Sequence, residues 1–474
     1  MVQTGRTPVG SRLAAAAVAL TCVIGLLATG CTGDDSSGFR PGGADAGDPY
    51  VPGRGNGGYD VTHYDLSVRY DPSSDRLTGR AVITATASQD LSRFNLDLAG
   101  LDVAAVRVGD AAAAHRRTDG ELVVTPRDGL PRGRSFTVAV DYAGVPAAVD
   151  GGPLGSGGFL HTTDGAVALG QPDSAATWFP VNDHPSDKAT YELAVTVPDG
   201  LAALSNGVPR PKSSADGWTT WRWSERAPMA SYLSTLVIGD YRVTTGTHAG
   251  RPMITAVPAS LPPNGGAARS LARTGAIADF LASRFGPYPF DSYGGIVVAD
   301  ERIGYALETQ SRPVYGPAFF GADRPNLSVV AHELAHQWFG DSVSLSRWSD
   351  IWLNEGFASY AEWLWEEHDG GRTAQRTFEI EYAATDWSQP SVEPGRERMF
   401  GRAVYKRGAL AVHALRRTLG DDLFFRVVRA WTSERAAGNA TTPDLVALAE
   451  RVADRQLRPL FDAWLVGGAA PTLP

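Results

Sequence analysis

Ala331-His332-Glu333-Leu334-Ala335-His336-Gln337-Trp338 is the stretch of sequence on which the fold assignment depends. Residues four apart on a helix lie one turn apart on the same face, so His332 and His336 can direct ring nitrogens at one ion. Glu333 lies beside them, where a carboxylate can reach a metal-bound water. The spacing therefore predicts a helix that carries part of a zinc site.

A third protein ligand is expected further along the chain, because a zinc ion that does chemistry keeps three protein ligands and one open position. Glu355 lies nineteen residues after His336, in Asp350-Ile351-Trp352-Leu353-Asn354-Glu355-Gly356-Phe357-Ala358. Its apolar neighbours indicate an interior position, where a carboxylate needs a partner. We expect a second helix to begin here and to pack on the first, so that His332, His336 and Glu355 bind one Zn²⁺ ion.

These motifs resemble those of the M1 family of zinc aminopeptidases. The family signature is His-Glu-x-x-His followed by eighteen residues and Glu, and Trp338-Phe339-Gly340, Trp348 and the run 352–358 also fit it. The resemblance implies an α+β fold, with an N-terminal all-β saddle or sandwich domain followed by a mostly α, thermolysin-like zinc metallopeptidase domain. It also implies zinc-dependent removal of N-terminal residues from peptides.

Three further residues acquire roles from the same resemblance. Gly304-Tyr305-Ala306-Leu307-Glu308-Thr309 is similar to the family's Gly-x-Met-Glu-Asn motif, with Tyr305 in the place of Gly, and implies that Glu308 binds the free α-amino group of the substrate. Gln171, before Pro172 and Asp173, resembles the glutamine that the N-terminal domain lends to the amine site. Tyr405-Lys406-Arg407-Gly408 resembles Tyr-x-Lys-Gly, which implies that Tyr405 stabilises the oxyanion.

The implied mechanism is attack by metal-activated water, with Glu333 as the general base and Tyr405 as the oxyanion donor. Larger family members continue with a small β-sandwich and a helical domain that covers the active site. The sequence shows no match to those parts, so we expect an open cleft.

Hydrophobic periodicity agrees with two domains. Alternating apolar residues between turn signals predict β structure over residues 59–244. Apolar residues three and four apart predict five helices within a zinc peptidase domain over residues 245–474, at 267–284, 329–339, 353–367, 404–419 and 442–455.

The N-terminal region reads as a targeting segment. Arg6 and Arg12 precede an apolar run, and Leu27-Ala28-Thr29-Gly30-Cys31 resembles a bacterial lipobox. We therefore predict a lipoprotein signal peptide over residues 1–30, a lipidated Cys31 and a flexible Gly, Ser and Pro-rich tether over residues 31–58. This places the protein outside the cytoplasm, anchored to the membrane by its lipid; an uncleaved anchor helix is the alternative.

Composition limits the partners. The chain of 474 residues has 43 Lys and Arg against 52 Asp and Glu, a formal net charge of −9. This balance excludes the basic footprint of a nucleic-acid-binding protein. A peptide substrate and the lipid anchor are the expected partners, and no obligate protein partner is evident from the sequence.

Three other functions remain open at this point. A thermolysin-like zinc endopeptidase would share the helix pair and the ligands, but it has no use for Glu308. A surface-binding lipoprotein with a structural zinc would need neither Glu333 nor Tyr405. An epoxide-opening hydrolase, an activity of some family members, is compatible with the same residues.

Overall fold

The computed structural model describes residues 38–118 and 120–474. The first domain is built almost entirely of strands, which are β1 (Arg40–Pro41), β2 (Tyr59–Asp71), β3 (Arg76–Ala87), β4 (Leu91–Asp97), β5 (Asp102–Val108), β6 (Ala111–Ala112), β7 (Ala114–Thr118), β8 (Glu121–Thr125), β9 (Ser135–Gly144), β10 (Ala148–Gly152), β11 (Gly155–His161), β12 (Ala166–Leu169), β13 (Lys188–Pro198), β14 (Ala202–Ser205), β15 (Val208–Ala215), β16 (Trp218–Ala230) and β17 (Leu236–Gly239).

These strands form three sheets. The largest has the order β15-β16-β13-β2-β3-β9-β5-β6, a second has the order β1-β4-β8-β7, and a third has the order β10-β11-β12-β17-β14. In β2, Tyr64, Leu66 and Val68 are buried while the residues between them are exposed. This alternation places one face of the large sheet on the core and the other in solvent, as the sequence pattern predicts.

The second domain combines one sheet with helices. Its strands are β18 (Tyr241–His248), β19 (Arg251–Pro258), β20 (Tyr293–Val297), β21 (Ala306–Leu307), β22 (Val314–Tyr315), β23 (Ser344–Leu345) and β24 (Asn439–Ala440). Its helices are α1 (Gly266–Leu271), α2 (Thr274–Phe285), α3 (Leu327–Ala335), α4 (Trp352–His368), α5 (Ala374–Ala384), α6 (Gly408–Leu419), α7 (Asp421–Glu434), α8 (Thr442–Ala453) and α9 (Arg458–Phe461). The predicted α+β class, with a β domain followed by a mostly helical domain, is confirmed.

Short helical turns complete the fold. Within residues 38–118 and 120–474, two of these turns are π-helical, Ala403–Arg407 and Asp462–Val466. In the same ranges, five are 3-10 turns: Ala175–Thr177, Ser231–Leu233, Pro317–Phe319, Trp348–Asp350 and Arg396–Arg398.

The boundary between the domains lies slightly earlier than the sequence predicts. The predicted break between residues 244 and 245 falls inside β18, which pairs along its whole length with β19. Because β19 pairs in turn with β20, β18 belongs to the sheet of the second domain. The sheets of the two domains therefore separate at Asp240, between β17 and β18.

The structure differs from the predicted tether over residues 39–58. Val51 is fully buried and Tyr50 is 7% exposed. Asp48 accepts hydrogen bonds from the Trp348 amide (2.7 Å) and contacts His184 (3.4 Å), so this segment joins the two domains. The Gly and Pro-rich composition supplies turns here rather than a flexible chain, because a few buried side chains are enough to hold it.

Two predictions fall on residues that the structure does not describe. The signal peptide over residues 1–30 and the lipidated Cys31 both lie outside the described ranges. Among the described residues, no helix is both long enough and apolar enough to cross a membrane.

Candidate active site

The three predicted metal ligands meet where α3 packs on α4. His332 lies in the last turn of α3, His336 is its C-cap residue, and Glu355 lies in the first turn of α4. One oxygen of Glu355, Oε2, is 3.2 Å from Nε2 of His332 and 3.4 Å from Nε2 of His336. The three donor atoms lie within 4.8 Å of one another, as ligands of a single ion must.

The opposite nitrogens of both histidines are also occupied, which fixes the orientation of the two rings. Nδ1 of His332 is 2.8 Å from Oε1 of Glu362, and Nδ1 of His336 is 3.0 Å from the carbonyl oxygen of Phe339. Zinc-binding histidines usually bind a carboxylate or a carbonyl in this way, which leaves the inner nitrogen free to bind metal. The donor set and its surroundings therefore fit zinc.

Glu333 faces the same space from the next position of α3. Its carboxylate, Glu308 and His336 form a second group of donor atoms within 4.8 Å of one another. Burial raises the pKa of Glu333 to about 8, although the charges of His332 and His336 act to lower it. A carboxyl group whose pKa lies near neutrality is suited to accept and return a proton.

Glu308 lines the site and is held there by two residues of the β domain. Its Oε1 accepts hydrogen bonds from Nε2 of Gln171 and from the hydroxyl of Tyr232, each at 3.1 Å. The side chain of Gln337 donates to the carbonyl of Glu308 (3.0 Å) and so ties this segment to the end of α3. Glu308 is only 2% exposed, so its carboxylate is directed by these contacts rather than by solvent.

Tyr405 approaches the site from the π-helical turn Ala403–Arg407 that precedes α6. Its ring stacks on the ring of His332, with centroids 6.0 Å apart. Burial, followed by the charge of Glu355, raises the pKa of the Tyr405 hydroxyl well above its ordinary value. The hydroxyl therefore keeps its proton near neutral pH and can donate a hydrogen bond.

All seven predicted site residues in the described part of the chain line one cavity of about 310 Å³. Leu154, Tyr305 and Phe319 add an apolar wall to it. Tyr305 donates to the carbonyl of Ser156 (3.0 Å), which holds the β10–β11 hairpin against the cavity.

Sequence reasoning missed three residues that position the site, namely Glu362, Tyr232 and Gln337. Glu362 had a usable signal, because it lies seven residues after Glu355 on the same helix and therefore on the same face. Gln337 lies within the His-Glu-x-x-His run and carried no separate signal. Tyr232 comes from the β domain, 76 residues before its partner Glu308, and only the fold brings the two together.

Comparison with known proteins gives consistent matches to one family. The model of the peptidase M1 N-terminal domain matches residues 61–233, and the model of the peptidase family M1 domain matches residues 270–464.

Two aminopeptidases that match this chain are much longer than it is. Aminopeptidase N of Canis lupus familiaris is 29% identical over 303 residues, which are 56% of this chain and 30% of that protein. Glutamyl aminopeptidase of Rattus norvegicus is 25% identical over 448 residues, which are 85% of this chain and 46% of that protein. The chain thus spans less than half the length of these two relatives.

One solved structure matches over nearly its whole length. The M1 zinc metallopeptidase of Deinococcus radiodurans is 32% identical, with a TM-score of 0.83, over 91% of this chain and 98% of that chain. A variant of that protein, solved with a bound Tyr-Ser-Ala substrate, matches with the same TM-score and 31% identity over 91% of this chain and 99% of that one.

Proposed function

The chain belongs to peptidase family M1, and from this we propose that it is a zinc-dependent aminopeptidase that removes N-terminal residues from peptides. The observation that carries the proposal is the position of Glu308, buried in the lining of the cavity and with a carboxylate oxygen within 4.8 Å of donor atoms of Glu333 and His336.

We propose that His332, His336 and Glu355 hold one Zn²⁺ ion. A zinc ion in such a site supplies a Lewis acid for the peptide carbonyl and acidifies water toward neutral pH. Metal analysis of the purified protein tests the number of bound ions. We expect about one zinc per chain, and none after substitution of both His332 and His336 by alanine.

The residues around the proposed zinc ligands carry out proton transfer, oxyanion stabilisation and binding of the substrate amine. Glu333 accepts the proton of the attacking water and passes it to the nitrogen of the leaving amine. Tyr405 donates a hydrogen bond to the carbonyl oxygen as negative charge develops on it. Glu308, held by Gln171 and Tyr232, pairs with the protonated α-amino group of the substrate.

This arrangement favours cleavage of the first peptide bond. Within one residue, the amino nitrogen and the carbonyl carbon are separated by two bonds, about 2.5 Å. Because Glu308, Glu333 and His336 have donor atoms within 4.8 Å of one another, an amine bound at Glu308 brings the first carbonyl beside the general base. A peptide that continued past Glu308 would have to displace a buried carboxylate.

Blocking the amine tests the exopeptidase proposal. We expect a peptide with a free N-terminus to be cleaved with a kcat/KM about 5- to 150-fold higher than that of its N-acetylated copy, since leaving a buried charged group unpaired costs about 1–3 kcal/mol. Equal rates on the two peptides would instead favour the thermolysin-like endopeptidase.

A substitution at the general base tests the mechanism separately. We expect Glu333→Gln to lower kcat by about 10²- to 10⁴-fold while zinc is still bound. Glu379→Gln is the matched control, because Glu379 is exposed on α5 and pairs only with its helical neighbours Gln375 and Arg376. Full activity of Glu333→Gln would exclude the assigned role.

We also propose that the protein acts outside the cytoplasm, anchored through a lipid on Cys31. The basic start, the apolar run and the small residues before Cys31 support this. Metabolic labelling with a clickable fatty acid tests it: we expect label on the wild-type chain and none on Cys31→Ser. An unlabelled wild-type chain would overturn the lipid anchor.

A further inference from the structure

One edge of the β domain brings together three segments that are rich in arginine. They are residues 39–41, 89–93 and 127–134, which are called the basic edge below. The Arg40 amide donates to the carbonyl of Asp90 (2.9 Å), and Leu91 and Leu130 exchange two backbone hydrogen bonds of 2.9 Å. The Arg132 amide donates to the carboxylate of Asp90 (2.8 Å). The three segments therefore form one continuous surface.

The basic edge carries a local excess of positive charge in an acidic protein. Its five arginines are exposed, and none of their side chains forms an ion pair or a hydrogen bond within the described residues: Arg40, Arg93, Arg127, Arg132 and Arg134. Against them stand only the two acidic residues of these segments, Asp90 and Asp128. The edge therefore has a formal charge of +3 (5 − 2), while the whole chain has −9.

Some exposed arginines elsewhere in the described chain are neutralised by a carboxylate. Arg80 pairs with Asp141 at 2.7 Å, Arg376 with Glu379 at 2.9 Å, and Arg451 with Glu434 at 2.6 Å. Five neighbouring arginines without such partners leave a surface whose charge is available to an external anion.

The chain enters the folded body at this same edge. The ring of Phe39 packs so closely on Gly129 that a β-carbon there would lie 2.6 Å from it, which leaves room for no larger residue. Eight residue steps separate Phe39 from Cys31. A fully extended chain of that length spans at most about 29 Å.

We propose that the basic edge rests on an anionic lipid surface. If Cys31 carries a lipid, the short connection to Phe39 keeps this edge close to the bilayer. Guanidinium groups bind phosphate through two parallel hydrogen bonds, so arginines suit phospholipid headgroups. A basic patch beside a lipid chain also supplies the second signal that strengthens membrane attachment. The proposal does not depend on the peptidase activity.

Vesicle binding of the unlipidated protein tests the surface by itself. Residues Phe39–Pro474 form one compact unit with its own core, so a chain that starts at residue 31, with Cys31→Ser, retains the folded body. It is floated with vesicles of phosphatidylcholine and with vesicles that contain phosphatidylcholine and phosphatidylglycerol in equal amounts. We expect binding to the anionic vesicles, loss of that binding at high salt, and no binding to the neutral ones.

Charge reversal locates the binding surface. The triple variant R127E/R132E/R134E is expected to lower partitioning onto anionic vesicles by at least about tenfold. The control R396E/R417E/R426E changes the net charge equally at exposed arginines of the other domain, and it should bind more tightly than the first triple variant. Peptidase activity and thermal midpoint, measured for both variants, confirm that each is folded.

Three results would overturn the proposal. One is equal binding to neutral and anionic vesicles, and another is an equal loss of binding in the two triple variants. The third is capture by a soluble polyphosphate without any vesicle binding, which would identify a soluble polyanion as the partner instead.

Discussion

Both ring nitrogens of His332 have partners, so its outer partner helps to orient a proposed zinc ligand. Nε2 faces Glu355, whereas Nδ1 lies 2.8 Å from Glu362. Glu362 is itself held by the hydroxyl of Ser328 (2.8 Å) and lies 3.9 Å from the ammonium of Lys406. The orientation of the imidazole therefore depends on a carboxylate that need not touch the ion or the substrate.

Replacing Glu362 by Gln should weaken zinc binding. The amide keeps the size of the side chain but loses the negative charge that orients the ring and increases its basicity. We expect the dissociation constant for zinc to rise about 10- to 100-fold, measured by competition with a chromophoric chelator. Glu379→Gln serves again as the control, and an unchanged zinc affinity in Glu362→Gln would contradict the role.

Tyr232 positions Glu308, the proposed ligand of the substrate amine, much as Glu362 positions His332. Its hydroxyl donates to Glu308, so Tyr232→Phe removes one of the two side-chain contacts that direct this carboxylate. We expect KM for a free-amine peptide to rise about 2- to 10-fold with little change in kcat, since a hydrogen bond contributes about 0.5–1.5 kcal/mol.

Tyr142→Phe is the matched control for that measurement. Tyr142 is equally buried, lies in β9 of the eight-stranded sheet, and its hydroxyl has no hydrogen-bond partner among the described residues. The same rise in KM in both variants would indicate a general loss of packing and would contradict the specific contact.

Among the single residues of the site, those whose positions follow from local spacing are predicted best from the sequence. His332, Glu333 and His336 follow from one helical turn, and Glu355 follows from the ligand count of zinc. The contact between Gln171 and Glu308 spans 137 residues, and no periodicity encodes such a distance. Only the resemblance to a family placed those two residues in the site, and it did not include Tyr232.

Among the elements, the π-helical turn that carries Tyr405 is held in place by Arg407. The guanidinium is fully buried and donates to the carbonyls of Trp387 (3.0 Å) and Gln389 (2.5 Å) on one side. On the other side it donates to those of Trp464 (2.7 Å) and Gly467 (2.6 Å). One side chain thus joins the Tyr405 turn to two separate segments.

We expect Arg407→Lys to destabilise this turn. An ammonium has three donors at one point and cannot reach carbonyls on both sides, so at least one buried carbonyl loses its partner at a cost of about 1–3 kcal/mol. Urea denaturation should show that loss, and kcat should fall with zinc affinity unchanged.

Arg402→Lys is the control for Arg407→Lys. Arg402 lies beside the same turn, but it is exposed and pairs with the carboxylate of Glu381, which a lysine can also do. Equal stability of the wild type and Arg407→Lys would show that the carbonyl contacts contribute nothing.

Some elements were not predicted, and their sequences show why. The sequence analysis identified no helix over α5 or α7, although α7 buries Phe424, Val427, Val428 and Trp431 at helical spacing. Gly420 alone separates α6 from α7, so the two patterns follow one another without a polar loop. The segment over residues 39–58 was missed for the opposite reason, because its contacts are long-range and its composition is that of a loop.

For the molecule as a whole, the two domains are joined by buried polar contacts as well as by packing. Lys188 of the β domain donates to the carbonyls of Asp341 (2.8 Å) and Ser342 (3.0 Å), just after α3. Asp48 bonds to Trp348, just before α4. Both domains therefore position the helices that carry the proposed zinc ligands, and Gln171 and Tyr232 belong to the same interface.

The β domain also contains a buried acidic pair that should make its stability depend on pH. Asp97 in β4 and Glu121 in β8 are direct cross-strand partners. Burial, followed by the charge of Glu121, raises the pKa of Asp97 to about 7, and burial likewise raises that of Glu121. Asp97 Oδ2 accepts bonds from Asn56 (2.8 Å) and the Asp183 amide (2.9 Å). Its Oδ1 and both oxygens of Glu121 have no other partner in the described chain, which suits a shared proton.

The sign of the effect follows from the raised pKa. In the unfolded chain these carboxyls lose their protons near pH 4, whereas the folded pair retains a proton up to about pH 7. The contribution of the pair to the free energy of unfolding is therefore fully present below pH 4 and is lost as the pH rises toward 7.

Glu121→Gln removes one charge and supplies an amide donor for Asp97. We expect it to raise the free energy of unfolding at pH 8 by about 1–3 kcal/mol and to flatten the decline of that free energy between pH 4 and 7, both measured by urea denaturation. Asp102→Asn, at an exposed position of β5, should change neither quantity, and an undiminished decline in Glu121→Gln would mean that the pair does not cause it.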